Sequence, residues 1–157
     1  MFQNSLDISK VTELRLKTLV YFGCGAIGKI DEIAGQLEKR GIRKILVVTG
    51  HGAYKRTGAW DHVVPALAKH KIEFVLFDKV TPNPTTAQID EAVSLGKNLG
   101  AQAVLCIGGG SAIDAGKSAA VLLSNPQYNA ADLYEYRFTP ENAVPIIAIN
   151  LTHGTGT

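Results

Sequence analysis

The chain has 157 residues, 46% of them apolar and 19% charged, a length and composition that fit one domain with its own core. Sixteen Lys and Arg stand against fourteen Asp and Glu, a formal net charge of +2; this lacks the basic excess that contact with a phosphate backbone uses, so no nucleic-acid partner is expected. No apolar stretch approaches the roughly 18 residues of a bilayer span, and residues 1–10 lack the apolar core of a signal peptide, so a soluble, cytoplasmic protein with no membrane partner is expected.

In chain order, short apolar and β-branched runs alternate with longer amphipathic stretches, the pattern of β-α units building a parallel sheet. The first strand is expected over 18–22. It runs into Gly23-Cys24-Gly25-Ala26-Ile27-Gly28, which satisfies the G-x-G-x-x-G form of a dinucleotide fingerprint. A helix follows, with Ile27, Ile30, Ile33 and Leu37 on one stripe and Gly41 as its stop signal. The second strand, 44–49, ends in Gly50-His51-Gly52, with no carboxylate where that fingerprint needs one for the ribose hydroxyls. The six-residue turn therefore reads either as a tight turn or as a cofactor contact. Beyond Gly50, small backbone, Thr57 and the adjacent cations Lys55 and Arg56 suit a 2′-phosphate better than a free ribose, unless the two cations are an ordinary solvated face.

A second helix carries Val63, Val64 and Leu67 up to His70, and the third strand, 72–78, leads into Thr81-Pro82-Asn83-Pro84-Thr85-Thr86. Two prolines fix this loop, and Thr85 or Thr86 caps the next helix. Asn83 is a candidate cofactor contact, because loops at strand carboxyl ends line the ligand crevice of open α/β sheets. Ile89, Ala92, Val93, Leu95 and Leu99 mark the third helix, stopped at Gly100.

The fourth strand, 102–107, runs directly into Gly108-Gly109-Gly110-Ser111 and a helix bearing Asp114 and Lys117. Glycines at a strand's carboxyl end let the chain turn sharply and approach a ligand, while unpaired first-turn N–H groups and the helix dipole favour an anion. Ser111 either caps this helix or bonds the anion. The helix stops near Leu123, before Asn125-Pro126. Residues 127–143, with Tyr128, Tyr134, Tyr136 and Phe138, are expected to form a long loop that is plain surface or covers a site. The fifth strand, 144–149, leads to a glycine and hydroxyl cluster from Asn150 through Thr152 and Thr155, a second ligand-binding turn or a frayed end. Cys24 and Cys106 read as reduced structural thiols. No His, Cys, Asp and Glu residues fall at metal-ligand spacing, and His62 and His70 are expected at the surface. The fold class is α/β: a Rossmann-like parallel sheet with helices on both faces.

Taken in order, Phe22-Gly23-Cys24-Gly25-Ala26, Pro82-Asn83-Pro84-Thr85, the block from Gly108 through Ser111 and Asp114 to Lys117, and Thr152-His153-Gly154-Thr155-Gly156 resemble the iron-containing (group III) alcohol dehydrogenases, over essentially the whole chain. The resemblance implies the N-terminal domain of the dehydroquinate synthase-like/iron alcohol dehydrogenase fold. Residues 1–157 would be its NAD(P)-binding domain, and a helical C-terminal domain outside this chain would hold a divalent metal, iron or zinc. It implies that Gly108, Gly109, Gly110 and Ser111 hold the cofactor's pyrophosphate, that Asp114 helps shape that loop, that Asn83 lies beside the cofactor, and that Thr152 and Thr155 lie near its nicotinamide half. Gly50 stands where many members carry an Asp that selects NAD. The stretch onward to Gly58 is similar to the NADPH-dependent butanol dehydrogenase and aldehyde reductase branch, so NADP is expected over NAD. The implied activity is hydride transfer between an alcohol and an aldehyde or ketone, in a homodimer or larger homo-oligomer, with the 157-residue chain alone binding cofactor without turnover. Two other readings stay open: a free-standing nucleotide-binding module, and a sister enzyme of the same fold, such as a glycerol or glycerol-phosphate dehydrogenase or a dehydroquinate synthase-like lyase.

Overall fold

Four of the five expected strands pair side by side, with the two most continuous apolar runs in the centre, where both faces are covered. The computed structural model describes residues 12–15 and 18–152. In it β3 (Lys44–Gly50), β4 (Glu73–Val80), β5 (Ala103–Gly108) and β6 (Ile146–Asn150) form a parallel sheet in the order β4-β3-β5-β6. Every residue of β5 is buried, as are Ile45 to Thr49 of β3, whereas the edge strand β6 alternates between half-buried and exposed positions.

The expected first strand does not join this sheet. Residues Leu19–Phe22 (β2) pair antiparallel with Thr12–Arg15 (β1) in a separate two-stranded sheet. An apolar run states that a segment is extended but not what it pairs with. Here Leu19, Val20 and Phe22 stay 38–48% exposed, as a ribbon outside the helical layers would leave them.

Side-chain alternation sends the two faces of the parallel sheet to two helical layers. Ile45, Val47, Leu105 and Ile107 pack with α1 (Ile30–Lys39), α2 (Ala53–Arg56) and α3 (Ala59–Lys69). Leu46, Val48, Val104 and Cys106 pack with α4 (Thr86–Leu99), α5 (Gly110–Ser124) and α6 (Ala130–Tyr134). Thr85 and Gln88 form the capping box that starts α4, and Gly100, at φ 74°, ends it. The expected loop 127–143 contains α6, which Asn129 caps through Asp132; Tyr128 and Phe138 stack at 3.9 Å beside it and join the second layer's core. The stacked pair and the buried Ala130 pin one side of this segment to the core, while Tyr134 and Tyr136 stay exposed, as a surface loop would leave them.

The helix α5 packs closely over β5. Ala112, Ala115, Gly116, Ala119 and Ala120 are buried along α5, and a Cβ at Gly116 would overlap the Cys106 sulfur and come within 3.5 Å of Val104. The small residues let the helix axis drop toward the strand. Cys106 is a free thiol sealed beneath this contact, and burial pushes its pKa up to about 12, so it stays protonated and structural, as expected; Cys24 is free and exposed. Gly116→Ala should lower stability by about 1–3 kcal/mol through overpacking, although alanine is the better helix former. Chemical denaturation checks this, and adding Cys106→Ala, which makes room for the new methyl, should recover part of the loss.

Candidate functional site

The chain continues outward from β3 to β4 and then returns to the other side of β3 to place β5. That reversal opens a crevice at the carboxyl ends of β3 and β5, the place where open α/β sheets receive ligands. Residue pairing aligns the ends: Gly50 lies opposite Val80, Thr49 opposite Ile107, and Gly108 opposite Asn150. The loop after Val80, the turn after Gly50, the glycines after Ile107 and the turn after Asn150 thus stand in a row along one sheet edge.

At the centre is the β5 to α5 junction. Gly108 has φ 154°, and a Cβ there would stand 2.8 Å from the Ala112 Cβ. Gly109 is the N-cap of α5 and supplies no side-chain cap, and no acidic residue stands in the first turn. A Cβ on Gly109 would come 2.6 Å from the Thr152 methyl. Bare backbone therefore packs directly against the β6 turn, and the first-turn N–H groups of α5 meet neither a capping side chain nor a carboxylate from their own turn.

The neighbouring turns are held by short polar contacts. The Leu151 N–H donates to the Gly108 carbonyl at 2.9 Å, and Asn150 Oδ1 accepts from the Thr152 N–H and hydroxyl at 3.0 and 2.9 Å. The buried Thr49 hydroxyl donates to the Ile107 carbonyl at 2.7 Å, tying β3 to the last residue before the glycines. Gln88 braces the β4 to α4 loop: its amide donates to the Lys79 carbonyl at 3.1 Å, and its Oε1 accepts from the Thr81 hydroxyl at 3.1 Å. Within that loop Asn83 sits at φ 55°, exposed, a left-handed conformation that Asn tolerates better than most residues.

The β3 turn supplies the cations. Buried Tyr54 reaches Asp78 Oδ2 at 3.4 Å and packs edge-on against Trp60 at 5.1 Å. Lys55 lies 5.3 Å above the Tyr54 ring, and the Arg56 guanidinium folds back to 2.9 Å from where a Gly52 Cβ would stand. Positive charge is thereby held along the turn that leaves β3, with Arg56 against Gly52.

Of the expected site residues, Gly108, Gly109, Gly110, Ser111 and Thr152 come together, Gly50 lies one strand away, and Asn83 belongs to the next loop of the same edge. Asp114 is exposed, with its carboxylate 3.3 Å from Lys117. Thr155 lies outside the described residues. The turn at Gly23-Cys24-Gly25 closes through a hydrogen bond from the Ala26 N–H to the Gly23 carbonyl at 3.1 Å, with Gly25 at φ 77°. It follows the separate hairpin and not a strand of the parallel sheet, so it lacks the βαβ setting a dinucleotide fingerprint requires. Sequence reasoning missed Thr49 as a site-shaping residue, and it placed Asn150 in the turn after the last strand without its hold on Thr152; an Asn two positions ahead of a Thr in a strand-end turn is the local signal that could have found that bond.

Comparison with known proteins gives a consistent result. The family model of iron-containing alcohol dehydrogenases matches residues 17–157. The chain is 54% identical to a long-chain primary alcohol dehydrogenase, AdhA, of Thermoanaerobacter ethanolicus, over all of this chain and 39% of that protein. It therefore spans about two-fifths of that relative's length. Among solved structures it resembles an NADH-dependent butanol dehydrogenase A from Thermotoga maritima, with TM-score 0.75 and 36% identity over 82% of this chain and 32% of that one. It also resembles a sulfoacetaldehyde reductase from Bifidobacterium kashiwanohense in complex with NAD+, with TM-score 0.69 and 27% identity over 82% of this chain and 34% of that one.

The Thr49 bridge is directly testable. Thr49→Val keeps the shape and removes the hydroxyl, and should cost about 1–3 kcal/mol in urea denaturation. An unchanged midpoint would mean that the bridge does not secure the crevice.

Proposed function

This chain belongs to the iron-containing alcohol dehydrogenase family, and on that premise we propose that it is the nicotinamide-dinucleotide-binding part of an enzyme that interconverts an alcohol and an aldehyde or ketone. The observation that carries this reading is the bare backbone of the Gly108 to Gly110 turn, set at the sheet's switch point with Gly108 against Ala112 and Gly109 against Thr152. Side chains at Gly108 and Gly109 would collide with Ala112 and Thr152 and push the turn off the end of β5, so only bare backbone brings the first N–H groups of α5 to the switch point, where a pyrophosphate could be held.

When bound, the nicotinamide ring gives or accepts a hydride at its C4. The work of this chain is to bind and orient. The N–H groups at the start of α5 and the Ser111 hydroxyl hold the pyrophosphate. Thr152, locked by Asn150, borders the nicotinamide half, and Asn83 borders the cofactor from the β4 loop. Asp114 acts from outside the loop, in its pair with Lys117. Thr155, beyond the described residues, belongs to the same turn as Thr152 in this reading. Among the described residues no group of His, Cys, Asp and Glu could hold a metal ion, so no step here runs through one. The iron or zinc of the full enzyme is assigned to polypeptide outside these residues.

NADP is the preferred cofactor in this reading. Gly50 offers no carboxylate to repel a 2′-phosphate, and Lys55 and Arg56 lie in the turn that follows it, Arg56 against Gly52. The identity to a long-chain primary alcohol dehydrogenase supports a primary alcohol and its aldehyde as the substrate pair. The exposed apolar side chains of Leu19, Val20 and Phe22, spread over both faces of the hairpin, support a homodimer or larger assembly.

Fluorescence titration of the full-length protein should find NADPH bound more tightly than NADH. Arg56→Ala should weaken NADPH by about ten- to hundredfold, the equivalent of one charge-assisted contact of about 1.5–3 kcal/mol, and leave NADH nearly unchanged. Equal loss for both would remove Arg56 from the 2′-phosphate site, and failure of either dinucleotide to bind would overturn the functional reading itself.

A further inference from the structure

Away from the crevice, His70 lies at the C-cap of α3 with its ring against α1. The side chain is only 17% exposed. Its Nδ1 is 2.8 Å from Glu38 Oε2 and its Nε2 is 3.1 Å from Asp31 Oδ1, two carboxylates seven positions apart on α1. The ring fits between them because α1 carries Gly35 there: a Cβ at that position would stand 3.1 Å from His70 Cε1.

An ionised carboxylate only accepts hydrogen bonds, and a neutral imidazole has a single N–H to donate. Both contacts are hydrogen bonds together only when both ring nitrogens carry protons. The carboxylates are not the proton carriers. The Lys69 ammonium, 2.8 Å away, holds Asp31 below the ordinary range, and the hydrogen bonds from His70 and from Arg43, the latter at 2.9 Å, do the same for Glu38. We propose that His70 is held as an imidazolium that latches α1 to α3, and that the latch opens when the ring gives up its second proton.

The charged groups around the ring are Asp31 and Glu38 from α1, Lys69 from α3, and Arg43 from the segment before β3, whose guanidinium also donates to the His70 carbonyl at 2.9 Å. The hydrogen bond to Glu38 leads in raising the His70 pKa above 6.5, and burial opposes it. Loss of a proton to water turns one ring nitrogen into a lone pair that faces a carboxylate oxygen, so one bond becomes a repulsion. Asp31 keeps Lys69 and Glu38 keeps Arg43, so the latch can open without leaving either acid unpaired. Because the folded-state pKa is raised, the stabilisation is complete below the unfolded value of about 6.5 and disappears as pH rises through the raised one.

Histidine Cε1 NMR titration of the full-length protein, labelled at its histidines, tests this on native material. One histidine should titrate with a midpoint above 6.5, and Glu38→Gln should move that midpoint down. In parallel, the melting-temperature advantage of the native protein over His70→Gln should be greatest near pH 6 and shrink as the pH is raised toward 9. A spectrum in which no histidine midpoint falls on Glu38→Gln substitution overturns the proposal, as does a melting-temperature difference that is flat or grows with pH.

Discussion

The seating of α5 on β5 governs the geometry of the crevice. Gly116 allows the helix to touch the strand at Cys106, and buried alanines on either side keep the contact close along the helix. A helix held this low begins directly above the end of its own strand. Its first N–H groups then open onto the switch point, and only glycine can make the turn, because Gly108 meets Ala112 and Gly109 meets Thr152. A packing requirement in the core and the chemistry of the proposed anion site are here one constraint: enlarging Gly116 would lift the helix, and lifting the helix would move the first-turn N–H groups.

The rest of the sheet edge is arranged around that junction. Thr49 fixes the end of β3 to the end of β5, Leu151 fixes the β6 turn to Gly108, and Gln88 fixes the β4 loop to its own strand. Each is a polar group bonded to a neighbouring backbone, so each turn keeps its shape without a large apolar core of its own. Charge is distributed with the same economy. Lys55 and Arg56 collect in the turn after β3, while Asp31, Glu38, Arg43, Lys69 and His70 pair with one another where α1 meets α3.

How much of this was legible in the sequence depends on the range of the interaction that decides each element. The strands β3 and β5 are readable because burial on two faces writes apolar runs, β6 because its own short apolar run is preserved at the sheet's edge, and α4 because its capping box is local. The glycine block at 108–110 is readable because no ordinary turn needs three bare residues in succession. The hairpin placement of 19–22 is not readable, since strand period does not name the partner strand. Neither is α6, whose aromatic neighbours mark a loop until Tyr128 and Phe138 are seen to stack. His70 reads as a surface residue until Gly35, Asp31 and Glu38 are brought to it by the packing of α1 on α3. The contact of Gly109 with Thr152 joins residues 43 positions apart, and only the parallel pairing of β5 with β6 reveals it.

Hydrogen-deuterium exchange on the full-length protein, with and without NADPH, tests the central claim most directly, because it reads which backbone amides the cofactor covers. The account predicts that NADPH slows exchange in peptides spanning 108–114, with further protection over 50–57. Protection that spares 108–114 while appearing elsewhere would contradict it, since the pyrophosphate would then rest on some other part of the chain.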